Sequence, residues 1–308
     1  MTVDGGRRHM STNIDHWSKT SFDLFCKCPR AWAVAYGNKK SSSASAASRG
    51  KPTHRLSDLA IRAARRTLLE ELSDLYNNKR WTEPYTLRRI KAHMDEQVWT
   101  HRIRTDSLII EGLAAQISHR LKRLRQTDLL KPIWAREPRR WAFFERINSI
   151  QIGGLDLYAT PDIVVYHQHK WTLFRLRFQS GHPLPSRDLE DALMVHWAMH
   201  QRGLPDRVED YRIRTLTWVG GEWIQGDVET NSNSIRDAWM MLQHDLLEMN
   251  WMKRWMTADP TMESLPLARR ESDCNGCRYR PSCPASKGLK KAKKEQEMRQ
   301  IKNSKVGD

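Results

Sequence analysis

The chain has 308 residues and a formal charge of +16, from 52 Lys and Arg against 36 Asp and Glu. An apolar fraction of 39% and thirteen Trp exclude a wholly disordered chain. No apolar run approaches the roughly 20 residues of a membrane-spanning helix. The length allows one large domain or two small ones, with a core that needs no disulfides. The first residues, MTVDGGRRHMSTNIDHW, lack the apolar stretch of a secretion signal, so the expectation is a soluble cytoplasmic protein with no membrane partner.

Residues 1–15 read as a disordered N-terminus. Ser18 to Tyr36 reads as one helix, with Phe22, Phe25, Trp32 and Tyr36 among its apolar positions. The low-complexity run SSSASAAS at 41–48 reads as a mobile loop. Helical spacing follows at about 53–77, 83–102 and 106–127, the first with Leu56, Leu59, Ala60, Ala63, Ala64, Leu68 and Leu69 on one face. From residue 134 the period shortens to that of strands: WAFFERI, IQIGGLDLYA, DIVVY and WTLFRLRF, with Gly153-Gly154 and His167–Lys170 as turns. A helix at about 185–202 precedes strands at Tyr211–Val219 and Glu222–Val228, joined by Gly220-Gly221. A helix at about 231–256 ends the regular part; its Trp239, Trp251, Trp255, Met240, Leu246, Leu247 and Met252 read as core rather than as a base-stacking surface. Helices, strands, helix, strands, helix describe one α/β domain: a mixed sheet flanked by helices.

The charge has a pattern. From Lys287 to Asp308 there are eight basic and three acidic residues, which leaves +11 of the charge on the rest. Basic clusters recur inside the fold, at Arg62/Arg65/Arg66 and His119/Arg120/Lys122/Arg123/Arg125. Such a surface suits the phosphates of nucleic acid, although a solvated basic face with no ligand looks the same. Residues 286–308 read as a basic disordered tail, helical only when bound.

Five cysteines, an odd number, do not read as a disulfide framework. Cys26 and Cys28 lie near the start; Cys274, Cys277 and Cys283 form CNGCRYRPSC, a C-x2-C-x5-C cluster among polar and helix-breaking residues. Three thiolates this close share a metal more readily than they stand apart, and they need a fourth ligand. Zinc and iron–sulfur are both open, because four thiolates satisfy either.

SKTSFDLFCKCPRAWAVAY, CNGCRYRPSC, Gly50-Lys51-Pro52-Thr53-His54 and GLDLYATPDIVVYHQHKWTLFRLRFQSG together resemble the RecB/AddB-like branch of PD-(D/E)XK nucleases, including the CRISPR-adaptation exonucleases with an iron–sulfur cluster. The resemblance spans most of 18–284. It implies a restriction-endonuclease-like fold over 16–285: a helical N-terminal part at about 50–130, a mixed central sheet flanked by helices at about 134–230, and a cysteine-cluster staple at 274–283. It implies a 4Fe–4S cluster, with zinc as the alternative, on Cys28, Cys274, Cys277 and Cys283, since Pro29 marks Cys28 rather than Cys26 as the ligand. It places His54 and Asp162 as ligands of Mg or Mn in an active enzyme. The implied partner is DNA, single-stranded or at duplex ends, in repair, recombination or defence. A helicase subunit would be a separate chain, because no G-x-x-x-x-G-K-[ST] phosphate loop occurs here.

The pattern breaks at the second carboxylate. Alignment on Ser180-Gly181 puts Arg177-Phe178-Gln179 where D/E-x-K belongs, and the shifted register Arg175-Leu176-Arg177 recovers no acid either. No acidic residue lies between Asp162 and Asp188. Two carboxylates hold the divalent ion that lowers the pKa of an attacking water, and a lysine offsets the developing charge. A guanidinium beside Asp162 competes with that ion and does not deprotonate. The expectation is therefore that Arg177 pairs with Asp162 in a catalytically degenerate protein that binds DNA, with Arg175 and Arg187 left to hold phosphate. Asp188, Glu190 or Asp191 would be the relocated ligand of a still-active exonuclease. A third reading is a structural subunit whose basic surface meets RNA or an acidic protein.

Overall fold

The computed structural model describes residues 15–37, 55–179, 185–259, 261–277 and 279–304. The chain enters as strand β1 (Asp15–Ser18) and turns into helix α1 (Lys19–Lys27), capped by Ser18, whose Oγ accepts from the Ser21 amide at 3.2 Å. The single helix expected over 18–36 is interrupted. A residue before proline is driven out of the helical region, so Cys28 is extended; it ends α1 and caps α2 (Pro29–Trp32), which runs into a π-helical turn over Ala33–Gly37. The expected loop at 41–48 and all but the last of residues 1–15 lie outside the described residues; Asp15 already belongs to β1.

Helices α3 (Leu56–Tyr76), α4 (Glu83–His101) and α5 (Ser107–Arg125) stand close to their expected bounds, and short α6 (Lys131–Ala135) follows. The strands are β2 (Trp141–Phe143), β3 (Ile150–Ile152), β4 (Leu155–Tyr158), β5 (Ile163–His167), β6 (Lys170–Arg177), β7 (Tyr211–Val219) and β8 (Glu222–Val228). Helix α7 (Pro185–Met199) crosses between β6 and β7, which are parallel as such a connection requires; α8 (Ser232–Ala258) follows β8.

These strands form two mixed sheets rather than the one expected. The five-stranded sheet has the order β2-β5-β6-β7-β8, and the three-stranded sheet the order β1-β4-β3, with β1 parallel to β4. The division falls at Ala159–Asp162, between β4 and β5. Pro161 has no amide for a ladder there, and Arg175 from β6 holds the bend by donating to the Thr160 carbonyl at 2.8 Å.

Period-two alternation sends the faces of the large sheet into different cores. Ile163, Val165, Phe174, Leu176 and Phe178 face the core made with α3, α4 and α5; Val164, Leu173, Tyr211 and Ile213 face the core made with α7, α8 and the small sheet. A helix layer therefore covers each face. On β6 the odd-numbered positions continue with Arg175 and Arg177, so both guanidiniums lie on the α7 side, where Glu190 and Asp191 meet them.

Phe25, Trp32 and Ala33 pack on Met249, Met252 and Met256 at the far end of α8. The expected α8 core is only partly formed. Met252 is buried and Trp239, Leu246 and Trp255 half-buried, but Met240, Leu247 and Trp251 are exposed. The buried face is instead Ile235, Ala238, Leu242, Asp245, Met249, Met252 and Met256, a spacing of three, four or seven that leaves those three on the outer side.

The disordered tail expected from 286 is corrected over most of its length. Residues Leu289–Ser304 form helix α10, which follows the short α9 (Glu271–Cys274). Leu289 and Ala292 are buried against Leu267, Ala268, Cys274 and Ala285. Gln296 donates to the Glu263 and Leu265 carbonyls, and Arg299 pairs with Glu263. Composition concealed this because two apolar contacts among many lysines suffice when a pre-formed surface receives them. Among the described residues no helix is long and apolar enough to cross a membrane.

Candidate functional site

Two places gather chemistry. The first is a cavity of about 530 Å³ between the α1 end of the molecule, α3 and the β6–α7 side of the sheet. Among the described residues Lys19, Arg65, Arg146, Arg175, Arg177 and Arg187 line it, with Glu190 the one acid.

Asp162 lies behind this wall. Arg146 grips it through both ends of the guanidinium, Nε to Oδ1 at 2.8 Å and Nη2 to Oδ2 at 2.7 Å, and the Leu176 amide donates to Oδ2 at 2.7 Å. Arg146 Nη2 also donates to the Leu176 carbonyl at 2.7 Å, so the pair is tied into β6. Burial opposes ionisation of Asp162, but Arg146, Arg175 and Arg65 outweigh it and hold the carboxyl down at about 2. Arg146, in turn, is raised against burial by Asp162 and the acids of α7.

The pairing expected between Arg177 and Asp162 is thus corrected. Arg177 bonds Asp191, and Arg146 is the residue on Asp162. The reason is directional: Arg177 sits one strand position pair beyond Arg175 on β6 and points to α7, whereas the β2–β3 connection delivers Arg146 directly onto the bend before β5. No motif announced Arg146. The only local signal was a lone arginine in a turn-rich segment, ERINS, sixteen residues ahead of the carboxylate.

Arg175 is 1% exposed, with Asp162, Glu190 and Asp191 carboxylate oxygens between 3.5 and 3.9 Å from its nitrogens. Burial pushes the Asp191 carboxyl up to about 6 against the pull of Arg177 and Arg175. Arg65 is lowered to about 10, by burial first and then by Arg146 and Arg175. Gln179 is exposed and lines the cavity. Glu190 and Asp191 therefore do reach this region, but each meets a guanidinium. His54, Ser180 and Gly181 lie outside the described residues.

The second place is built by the ends of the chain. Cys28 Sγ accepts from the Ala31 amide at 3.4 Å, which fixes the thiol at the α1–α2 break. At the other end, hydrogen-bonded turns run from Cys274 to Cys277 (3.2 Å), Cys277 to Arg280 (3.1 Å) and Arg280 to Cys283 (3.1 Å). Gly276, at φ +71°, supplies the left-handed residue the first turn needs. The Arg30 amide donates to the Pro266 carbonyl at 3.2 Å, tying the two segments together. Cys28, Cys274, Cys277 and Cys283 all line one cavity, with Ala31, Val34, Leu267, Ala268 and Ala285 as apolar walls. Cys26 is exposed and not among the lining residues.

Burial pushes the Cys28 thiol up to about 11, and the thiols of Cys277, Cys283 and Cys274 add to the effect. Cys28 therefore holds its proton until a cation replaces it. Among the described residues no three or more His, Cys, Asp or Glu are arranged to hold a metal ion. The donor chemistry nevertheless fits a thiophilic centre and does not fit Mg or Mn, which take oxygen ligands.

No family model matches the chain, and a search of curated proteins finds no match either.

Proposed function

We propose that this protein binds DNA on a nuclease-like scaffold from which the metal-dependent chemistry has been lost. The RecB/AddB-like PD-(D/E)XK pattern is the scaffold meant, and repair, recombination or defence of DNA the setting. The observation that carries the reading is the Arg146–Asp162 pair. A divalent ion needs the carboxylate oxygens that Arg146 already occupies, and the guanidinium carries its charge at every accessible pH. Among the described residues, the cavity in front of that pair has six cations on its wall against one acid. Such a wall attracts phosphate and repels Mg²⁺.

In the same reading Cys28, Cys274, Cys277 and Cys283 hold a 4Fe–4S cluster, with zinc the alternative. Bound there, the group supplies a covalent cross-link between the chain ends rather than a reaction centre. Elemental analysis after anaerobic purification separates the two metals.

The test is a cleavage and binding assay on single-stranded and duplex DNA, with Mg²⁺ or Mn²⁺ and anaerobically purified protein. Salt-sensitive binding without cleavage is expected. Divalent-dependent cleavage that disappears in both Glu190→Gln and Asp191→Asn would overturn the degenerate reading and make α7 the source of relocated ligands. Absence of DNA binding, with salt-sensitive binding of RNA or an acidic protein, would favour the structural-subunit reading.

A further inference from the structure

We infer that the outer face of α8 is the docking surface for a second copy of this chain, and that two copies pair there with their α8 helices antiparallel. The inference is independent of the DNA-binding reading.

The exposed side chains of α8 are ordered along it. Asp237, Met240, His244, Leu247, Trp251 and Arg254 are all exposed and follow one another at intervals of three, four, three, four and three. That is the 3.5-residue period of a seam between two helices. The molecule's own core uses the other side. Met240, Leu247 and Arg254 each stand two residues, about 200° of rotation, from Leu242, Met249 and Met256 on the buried face. Met240, Leu247 and Trp251 are each more than half exposed, and Met241 widens the strip beside Met240. Scattered apolar residues on a surface need no explanation, whereas a row of Met, Leu and Trp at seam spacing has the composition of an interface. Trp251 also packs against Trp255, with 4.8 Å between ring centroids, so its ring is steadied before any partner arrives.

Charge selects the occupant. The strip has an acid at one end, Asp237, and a base at the other, Arg254, with the apolar residues between them. A copy laid antiparallel, about a two-fold axis midway between His244 and Leu247, sets Asp237 against Arg254 of the second copy at both ends of the seam. The same register sets Met240 against Trp251 and His244 against Leu247, and on the flank it brings Met241 beside Glu248. Parallel copies would instead set Asp237 on Asp237 and Arg254 on Arg254. Within its own chain Asp237 has Arg236 at 3.8 Å, and both side chains are exposed enough for the carboxylate to take a second guanidinium. A strip complementary to its own reverse closes after two copies, which gives a dimer rather than a filament.

Length sets the strength. From Asp237 to Arg254 the strip runs about 26 Å at 1.5 Å per residue. One helix face of that length falls short of the roughly 800 Å² per partner of a standard interface, so the dimer is reversible, with a dissociation constant on the order of micromolar.

The experiment is sedimentation velocity on the full chain, metal-loaded and freed of nucleic acid, from about 1 to about 200 μM. The mass is expected to rise with concentration from 36.1 kDa toward twice that value. Leu247→Glu should weaken pairing by about tenfold or more, whereas Leu108→Glu, at an exposed position on α5, should leave it unchanged. Asp237→Arg and Arg254→Asp should each weaken self-pairing about tenfold, by placing like charges at both ends of the seam. Mixed together, these two variants should pair with each other, because position 237 of one then meets its opposite charge at position 254 of the other. A constant 36.1 kDa at every concentration overturns the inference. A dimer that survives Leu247→Glu, or that Leu108→Glu disrupts equally, overturns its placement on α8. Failure of the two charge variants to pair with each other overturns the antiparallel register. If Leu247→Glu does not fold, the charge variants at their two exposed positions decide.

Discussion

At Asp162 three hydrogen bonds converge on one carboxylate, two from Arg146 and one from the Leu176 amide. Removing either charged partner breaks a buried ion pair, at a cost of about 3–5 kcal/mol, and without Arg146 the carboxylate keeps the Leu176 amide and the more distant Arg175. Arg146→Ala should therefore lower the urea midpoint of unfolding sharply. Arg146→Met combined with Asp162→Leu should recover most of the loss, because the pair's desolvation cost disappears with it. Additive losses in the double variant would refute this account. Acid stability has a second residue-scale origin in Asp245, buried on α8 and pushed up to about 6 by its burial. Between pH 3.8 and 6 the folded form holds a proton there that the unfolded form has released, so stability falls as pH rises through that window. Asp162 acts oppositely: its contribution is complete above 3.8 and disappears as pH falls toward 2. Asp245→Asn should flatten the slope of stability between pH 4 and 6, as melting curves at successive pH values would show. Both carboxylates illustrate what a linear chain conceals. Asp162 was identifiable from the apolar run after it, but its partner arrives through a loop, and Asp245 looked like one more polar residue on a helix.

Elements were legible where periodicity was strong and local. The three N-terminal helices and the β5–β6 and β7–β8 hairpins follow from apolar spacing and turn residues that lie side by side in the chain. The division into two sheets did not, because it depends on Arg175 reaching back to Thr160 from another strand. Nor did the exposure of Trp251 and Leu247, since apolar residues on three sides of a long helix do not say which side is covered. The cysteine turns sit between these cases: C-x2-C-x5-C is local, whereas their meeting with Cys28 belongs to the tertiary fold. Cys28→Ser should lose most of the bound metal and its visible absorbance, and Cys26→Ser should retain both. A four-thiolate zinc centre contributes about 10–16 kcal/mol of binding free energy. Losing even a few kcal/mol of that would lower the melting temperature by roughly ten degrees in a chain this size. Iron or zinc retained in Cys28→Ser, but lost in Cys26→Ser, would reverse the assignment of the fourth ligand. Deleting residues 289–308 should expose the apolar contacts of Leu267 and Ala268 and destabilise the metal-loaded protein, even though the deleted residues are mostly polar and carry a net positive charge.

For the whole molecule, the surplus of +16 predicts binding governed by counterion release. The logarithm of DNA affinity should fall linearly with the logarithm of salt, by about 0.9 per phosphate contacted on duplex. A slope near zero would mean that the exposed apolar residues, rather than the arginines, make the main contact. The route by which β1, α1 and α2 reach their places has a further implication for how the protein is made. Strand β1 pairs with Leu155–Tyr158, and Cys28 meets partners about 250 residues downstream. During vectorial synthesis the β1–α2 segment must therefore wait until the cysteine cluster, about 250 residues later, has been made. Until then Phe25 and Trp32, buried in the finished protein, stay without their methionine partners on α8. The nascent chain thus carries an adhesive apolar segment until α8 has emerged, and a holdase that shields this segment would raise the yield of native protein more than one acting on the central sheet.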